Sequence, residues 1–188
     1  MKIIWIGSRR YPLYYETDTF RAVHACWDHN NIEFLKKTLI NNRLTVELIY
    51  QSVRIGTKLN ETIDQTLKGK EMKIPDGLDF IDKDGTRRTE IRIKWWEDPA
   101  LMTYRSISVE PIDTLPERSI ELSESEPFDF YGENEKKVFF RHYWLRGKPS
   151  LYKDNICCLD YSVAQGGKLV SYRLNGEEIL DKENFINV

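Results

Sequence analysis

The stretch NICCLDYSVAQGGKLVSYRLNGEEIL, residues 155–180, decides the fold class. Apolar and polar residues alternate around two pairs, Gly166-Gly167 and Asn175-Gly176, that suit two-residue hairpin turns. The spacing predicts a three-stranded antiparallel meander. Just upstream, KKVFFRHYW (136–144) is rich in aromatic and β-branched residues and reads as a strand ending near His142. PLYYE (12–16) and FRAVHA (20–25) read the same way near the N-terminus, with TDT as the turn between them. The second of these strands ends at His24.

Helices are expected between the two β regions. Asn30 or Asn31 is placed to cap a helix over 32–40, with Ile32, Leu35 and Leu39 on one face. A second starts near Thr45, with Val46, Ile49, Tyr50 and Val53 at helical spacing, and a third covers 59–67 and stops at Gly69. The pattern then changes to alternation. LDFID (78–82) and TRRTEIRIKWW (86–96) flank Lys83-Asp84-Gly85, which predicts a hairpin. On its second strand Ile91, Ile93 and Trp95 share one face and Arg88, Glu90, Arg92 and Lys94 the other. Residues 105–135 contain Pro111, Pro116 and Pro127, many acidic residues and little periodicity, so a long surface loop or lid is expected. The fold class is α/β, with no internal repeat and no visible domain boundary.

The chain has 188 residues, 40% hydrophobic and 31% charged, which suits a soluble globular protein. A formal net charge of −2 gives no electrostatic reason to expect nucleic acid or a membrane as partner. No run reaches the 18 or so apolar residues of a membrane span. The opening MKIIWIGSRRYP has a short apolar run and no small-residue cleavage site, unlike a signal peptide. Cys26, Cys157 and Cys158 are odd in number and include a neighbouring pair, so buried reduced thiols in a cytoplasmic protein are expected.

The candidates for chemistry start with the histidines. His24 and His142 each end an apolar strand and enter a loop, a placement that fixes a side chain and leaves room for a metal ion. Taken singly, a strand-end histidine is more often a hydrogen-bonded structural residue. FRAVHACWD (20–28), LKGKE (67–71), RIKWW (92–96), VFFRHYWLRGKP (138–149) and CLDYSVAQGGKLVSYRLNGEE (158–178) occur in that order. Together they resemble the C-terminal half of the calcineurin-like metallophosphoesterases, the group related to serine/threonine protein phosphatases and symmetrical diadenosine tetraphosphatases. The likeness runs from about Trp5 to Phe185.

The resemblance implies an α/β sandwich of mixed sheets with flanking helices, and a centre of two divalent metal ions (Mn, Fe, Ni or Zn) bridged by an aspartate. Three motifs of that family, Asp-x-His, Gly-Asp-x-x-Asp-Arg-Gly and Gly-Asn-His-Glu, do not occur in this sequence. The remaining two match His24 in VHACW and His142 after Arg141, and in the relatives both histidines bind the same metal. The chain thus carries half of one metal's ligands, without the bridging carboxylate or the general acid. Arg141 departs from the family's usual glycine: its side chain either holds a fixed positive charge beside the site or turns outward.

Asp160, in CLDYS, is a candidate acceptor for an imidazole N–H, which would fix the tautomer; a turn or surface carboxylate is an equal alternative. Arg88, Arg92 and Lys94 are read as a solvated charged face before a phosphate-binding one. Lys68 and Glu71 fall in a shared segment without an assigned role. His29 is expected on the surface, and Trp95 and Trp96 in the packing. The expectation is the C-terminal portion, from a truncated, split or misannotated gene, of a metal-dependent hydrolase acting on a phosphate ester (phosphomonoester, phosphoprotein or nucleotide), inactive alone, with a separately encoded N-terminal half as one candidate partner. The alternative is a non-catalytic remnant or interaction module. A sheet made for a missing partner would also leave an apolar face open.

Overall fold

The computed structural model describes residues 11–82, 85–122 and 129–188. The chain is α/β in the broad sense, with helices and mixed sheets, and it divides into two compact units. The first comprises residues up to Lys68 and from Glu133 onward; the second is Gly69–Gly132. No composition shift marks either boundary. Among the described residues no helix is long and apolar enough to cross a membrane.

The first unit is built on a four-stranded sheet in the order β1-β2-β7-β8. β1 (Tyr14–Glu16) and β2 (Phe20–Val23) form the expected antiparallel hairpin. β7 (Lys137–Phe140) lies parallel to β2, and β8 (Ile156–Cys158) lies parallel to β7. The register puts Tyr14, Val23, Val138, Phe140, Ile156 and Cys158 on one face, and all six are buried. Trp27 meets Tyr14 edge-on at 5.8 Å, and the Arg21 guanidinium sits over its ring at 5.0 Å. Each fully buried apolar side chain here contributes about 1.5–3 kcal/mol.

The opposite face is aromatic. Tyr15, Phe20 and Phe139 form a chain of rings that continues to Tyr172 and Phe185, with successive centroids 5.9, 5.9, 5.4 and 5.5 Å apart. Tyr172 and Phe185 belong to a second sheet, β11-β10-β9, and Tyr172 packs on Phe139 over part of the face that the sequence suggested would be open. Of the three ring positions on the first sheet only Tyr15 stays exposed; Phe20 and Phe139 are half-buried. Cys157 is fully buried as well, and the three buried cysteines form no disulfide.

The three helices appear with shifted ends. α1 spans His29–Thr38, three residues earlier than expected, because Asp28 and not Asn30 or Asn31 is its cap: the Asp28 carboxylate accepts the Asn31 N–H at 2.9 Å. Asn31 is instead buried, donating to Gln65 at 2.7 Å and accepting from Thr62 at 3.2 Å, which ties α1 to α3 (Lys58–Lys68). α2 (Val46–Ser52) has the expected Thr45 cap. Its apolar stripe, however, is not a core face: Val46, Tyr50 and Val53 are exposed.

The meander also differs. β9 (Asp160–Tyr161) and β10 (Lys168–Tyr172) pair antiparallel, but a single 3-10 turn, Val163–Gln165, precedes the glycines. Gly167 is required there, since a Cβ on it would lie 1.9 Å from the Tyr161 carbonyl oxygen. EEIL is not the third strand. The Glu177 carboxylate accepts the Tyr172 hydroxyl at 2.6 Å and the Asn175 N–H at 2.7 Å, which holds 173–184 as an extended turn. The strand that pairs with β10 is β11 (Phe185–Asn187).

In the second unit β3 (Glu71–Lys73) pairs with β6 (Glu90–Arg92), and β4 (Phe80–Ile81) with β5 (Arg87–Arg88). The hairpin is therefore present, although Lys83 and Asp84 of its turn lie outside the described residues. Ile91, Ile93 and Trp95 are buried, as their alternation requires. The segment expected to be a loop or lid instead supplies core. Ile107 from α4 (Tyr104–Ile107), Leu115 and Ile120 join Ile74, Ile91 and Ile93 in one cluster. Such irregularly spaced apolar residues leave no period to read. Residues 123–128, with Pro127, lie outside the described residues.

Candidate metal-ligand pair

Because β2 and β7 are parallel neighbours, their C-terminal ends come out on the same edge of the sheet. His24 follows β2 directly and His142 follows β7 by two residues. The ladder runs one step further, with the Arg141 N–H donating to the His24 carbonyl at 3.0 Å. The chain then turns sharply, and His142 takes a left-handed backbone with φ 83°. That conformation is uncommon outside glycine and is held by a specific bond: the His142 N–H donates to Asp160 Oδ2 at 2.9 Å.

The result is contact between two residues 118 positions apart: His24 Nε2 lies 3.3 Å from His142 Nδ1, with ring centroids 5.1 Å apart and planes inclined at 49°. Both rings are half-buried. His24 is held well below the usual imidazole range, at about 4, by burial first and then by the positive charges of His142 and Arg141; the Asp160 carboxylate opposes this. His24 is therefore neutral at pH 7, with a lone pair available on one ring nitrogen.

Asp160 works differently from the role suggested by sequence. Its carboxylate binds two backbone amides, His142 at Oδ2 and Ser162 at Oδ1 (3.1 Å), so it orients the His142 backbone and not the imidazole. Its own carbonyl accepts the Leu145 N–H at 2.9 Å, and the Ser162 hydroxyl donates to the Leu145 carbonyl at 3.0 Å. The loop carrying His142 is thus stitched to β9 at three points. Arg141 is exposed, with its charge felt at His24.

Other candidates are accounted for elsewhere. Arg88 pairs with Asp82 at 2.8 Å, Lys94 donates to the Ser106 carbonyl at 2.7 Å, and Arg92 is half-buried on β6. Lys68 pairs with Asp64 along α3, and Glu71 is exposed on β3. Trp95 and Trp96 are buried, edge to face at 5.3 Å. His29 is more engaged than expected: its Nε2 lies 2.8 Å from Glu135, which also binds Arg21 at 2.7 Å, and Arg21 reaches Glu16 at 2.9 Å. This network joins α1 to the starts of β2 and β7. Opposite charges scattered over 16, 21, 29 and 135 give no motif by which sequence reading finds it.

Two nitrogens each about 2.0–2.1 Å from one tetrahedral ion lie about 3.3–3.4 Å apart. The 3.3 Å between His24 Nε2 and His142 Nδ1, itself a hydrogen bond between the two rings, is also close to that spacing. Among the described residues no group of three or more His, Cys, Asp or Glu side chains is arranged to hold a metal. Comparison of the chain with protein-family models, with curated proteins and with solved structures found no match.

Proposed function

We propose that His24 and His142 are two ligands of a divalent metal ion, and that the chain is the part of a calcineurin-like, metal-dependent phosphoesterase that supplies them. The observation carrying this reading is the 3.3 Å approach of His24 Nε2 to His142 Nδ1 at the ends of adjacent parallel strands. The strands fix both side chains, Asp160 fixes the turn that presents His142, and burial keeps His24 unprotonated. When bound, a divalent ion of this class (Mn, Fe, Ni or Zn) polarises a phosphoryl oxygen and lowers the pKa of a bound water. The metallophosphoesterase sandwich is the architecture this reading assigns to the mixed sheets.

Two imidazoles do not complete such a centre. Catalytic zinc sites use at least three protein ligands, and a pair of metal ions needs a carboxylate between them to offset their repulsion. In this reading the remaining ligands and the general acid come from a polypeptide segment carrying the Asp-x-His and Gly-Asn-His-Glu motifs. The test is hydrolysis of p-nitrophenyl phosphate with manganese or nickel, by the chain alone and mixed with such a segment from a metallophosphoesterase. Activity is expected only in the mixture and is lost in His142→Ala. Turnover by the chain alone that survives His142→Ala contradicts the proposal. Metal uptake with no turnover in any mixture supports the non-catalytic alternative.

A further inference from the structure

Beside the histidine pair runs a groove of about 490 Å³, lined among others by Arg141, Trp144, Asp160, Val163, Lys168 and Leu169. A second depression of about 300 Å³ shares Ser162, Gln165 and Lys168 with it and adds Arg146, so the two make one trough. The trough adjoins the pair directly. Arg141 precedes His142, Asp160 binds the His142 amide, and the Trp144 ring lies 6.4 Å from the His142 ring.

Its walls and its charges point to one kind of ligand. Trp144, Val163 and Leu169 expose 46%, 53% and 59% of their surface, giving an apolar wall that water does not favour. Arg141, Arg146 and Lys168 are all exposed, and no carboxylate pairs with them among the described residues. The lining's own carboxylate, Asp160, is committed to two backbone amides. Two cations, Arg141 and Lys168, thus line the groove that carries the apolar wall, and Arg146, which donates to Gln165 at 3.4 Å, lines the adjoining depression, in a chain whose formal net charge is −2. Scattered surface cations usually mean nothing more than solvation. Here the backbone adds a further sign. Three of the five non-glycine residues with positive φ among those described, His142, Trp144 and Ser162, border this trough. Such conformations cost on the order of 1–3 kcal/mol each and gather where a surface is shaped for a ligand.

We propose that the trough binds the organic part of an anionic ester, an aromatic body resting on Trp144, Val163 and Leu169 with its phosphoryl group drawn to Arg141 and Lys168. The phosphoryl group rests on the phosphoesterase reading; the aromatic anion rests on the trough alone. The geometry gives the aromatic group the same importance as the charge, since base-like and aryl rings stack on an exposed indole while the guanidinium and ammonium groups hold the anion.

The test is a titration of the full, metal-free chain with phenyl phosphate, followed at the indole N–H resonance of Trp144 and assigned with Trp144→Phe. A saturable shift is expected, with inorganic phosphate and phenol each binding at least tenfold more weakly. Lys168→Glu, an exposed substitution that keeps the native amide spectrum, is expected to weaken phenyl phosphate at least tenfold. No saturable shift at Trp144, or one unchanged in Lys168→Glu, overturns the proposal. Phenyl phosphate binding without metal uptake at the histidines keeps the trough and removes the metal reading; metal uptake without phenyl phosphate binding does the reverse.

Discussion

Replacing Asp160 by alanine removes the carboxylate that holds the His142 N–H in the turn after β7. Its two oxygens accept backbone N–H groups at 2.9 Å from His142 and 3.1 Å from Ser162, and both residues have left-handed backbones, with φ 83° and 58°. A hydrogen bond to a charged group contributes about 1.5–3 kcal/mol. Asp160 is only half-buried, so water replaces part of each bond and the loss is about 2–4 kcal/mol for the pair. Asp160→Asn keeps one carbonyl acceptor and loses the charge and the second acceptor, which reduces the cost to about 1–2 kcal/mol. Urea unfolding followed by circular dichroism measures both, read as a shift in midpoint at constant slope. An alanine variant within about 0.5 kcal/mol of the parent, or an asparagine variant as unstable as alanine, refutes the clamp.

Three further outcomes are expected. In chelator, stability falls as pH drops from the unfolded imidazole value of 6.5 towards the folded His24 value of about 4, because the unfolded chain binds a proton there that the folded chain refuses. With solvent screening the loss is about 1–2 kcal/mol, and His24→Gln flattens the upper part of that window; Glu16, whose burial is outweighed by its hydrogen bonds and charge pairing with Arg21 so that it is held at about 2, adds a loss of its own from its unfolded value of 4.5 downward. Gly167→Ala drives a Cβ to 1.9 Å from the Tyr161 oxygen and 2.8 Å from the Ser162 backbone, costing about 3 kcal/mol. For a chain of this size a calorimetric scan reads that as a fall of about 6–12 °C, and a fall under about 2 °C contradicts it. Asp28→Ala removes the α1 cap and costs about 1 kcal/mol in the same urea assay, whereas Asn30→Ala is close to neutral.

Elements whose side chains face the core in a regular period were legible from sequence. The β1–β2 hairpin, the β7 strand with its exit at His142, and the buried set Ile91, Ile93 and Trp95 all follow from alternation. What sequence missed was decided by single polar side chains. Asp28 caps α1 one turn early because its carboxylate reaches the Asn31 amide, and Asn31, which resembles a cap, is spent inside the unit on Gln65 and Thr62. EEIL follows Asn175-Gly176, a hairpin-type pair, but Glu177 folds back on Tyr172 and Asn175 and the pairing passes to Phe185–Asn187. The two histidines were readable as a pair only through resemblance; their contact depends on two strands being parallel neighbours, which no local pattern encodes. Asp160 was singled out as an imidazole acceptor, yet its partners are the amides of His142 and Ser162, both of which have left-handed backbones.

The central claim is that His24 and His142 bind one metal ion together, and X-ray absorption on the chain loaded with one equivalent of zinc or nickel tests it most directly. The account predicts two imidazole nitrogens at about 2.0–2.1 Å, falling to one in His24→Ala and in His142→Ala, with water and buffer filling the other positions. A spectrum without imidazole scattering, or one that neither substitution changes, contradicts it.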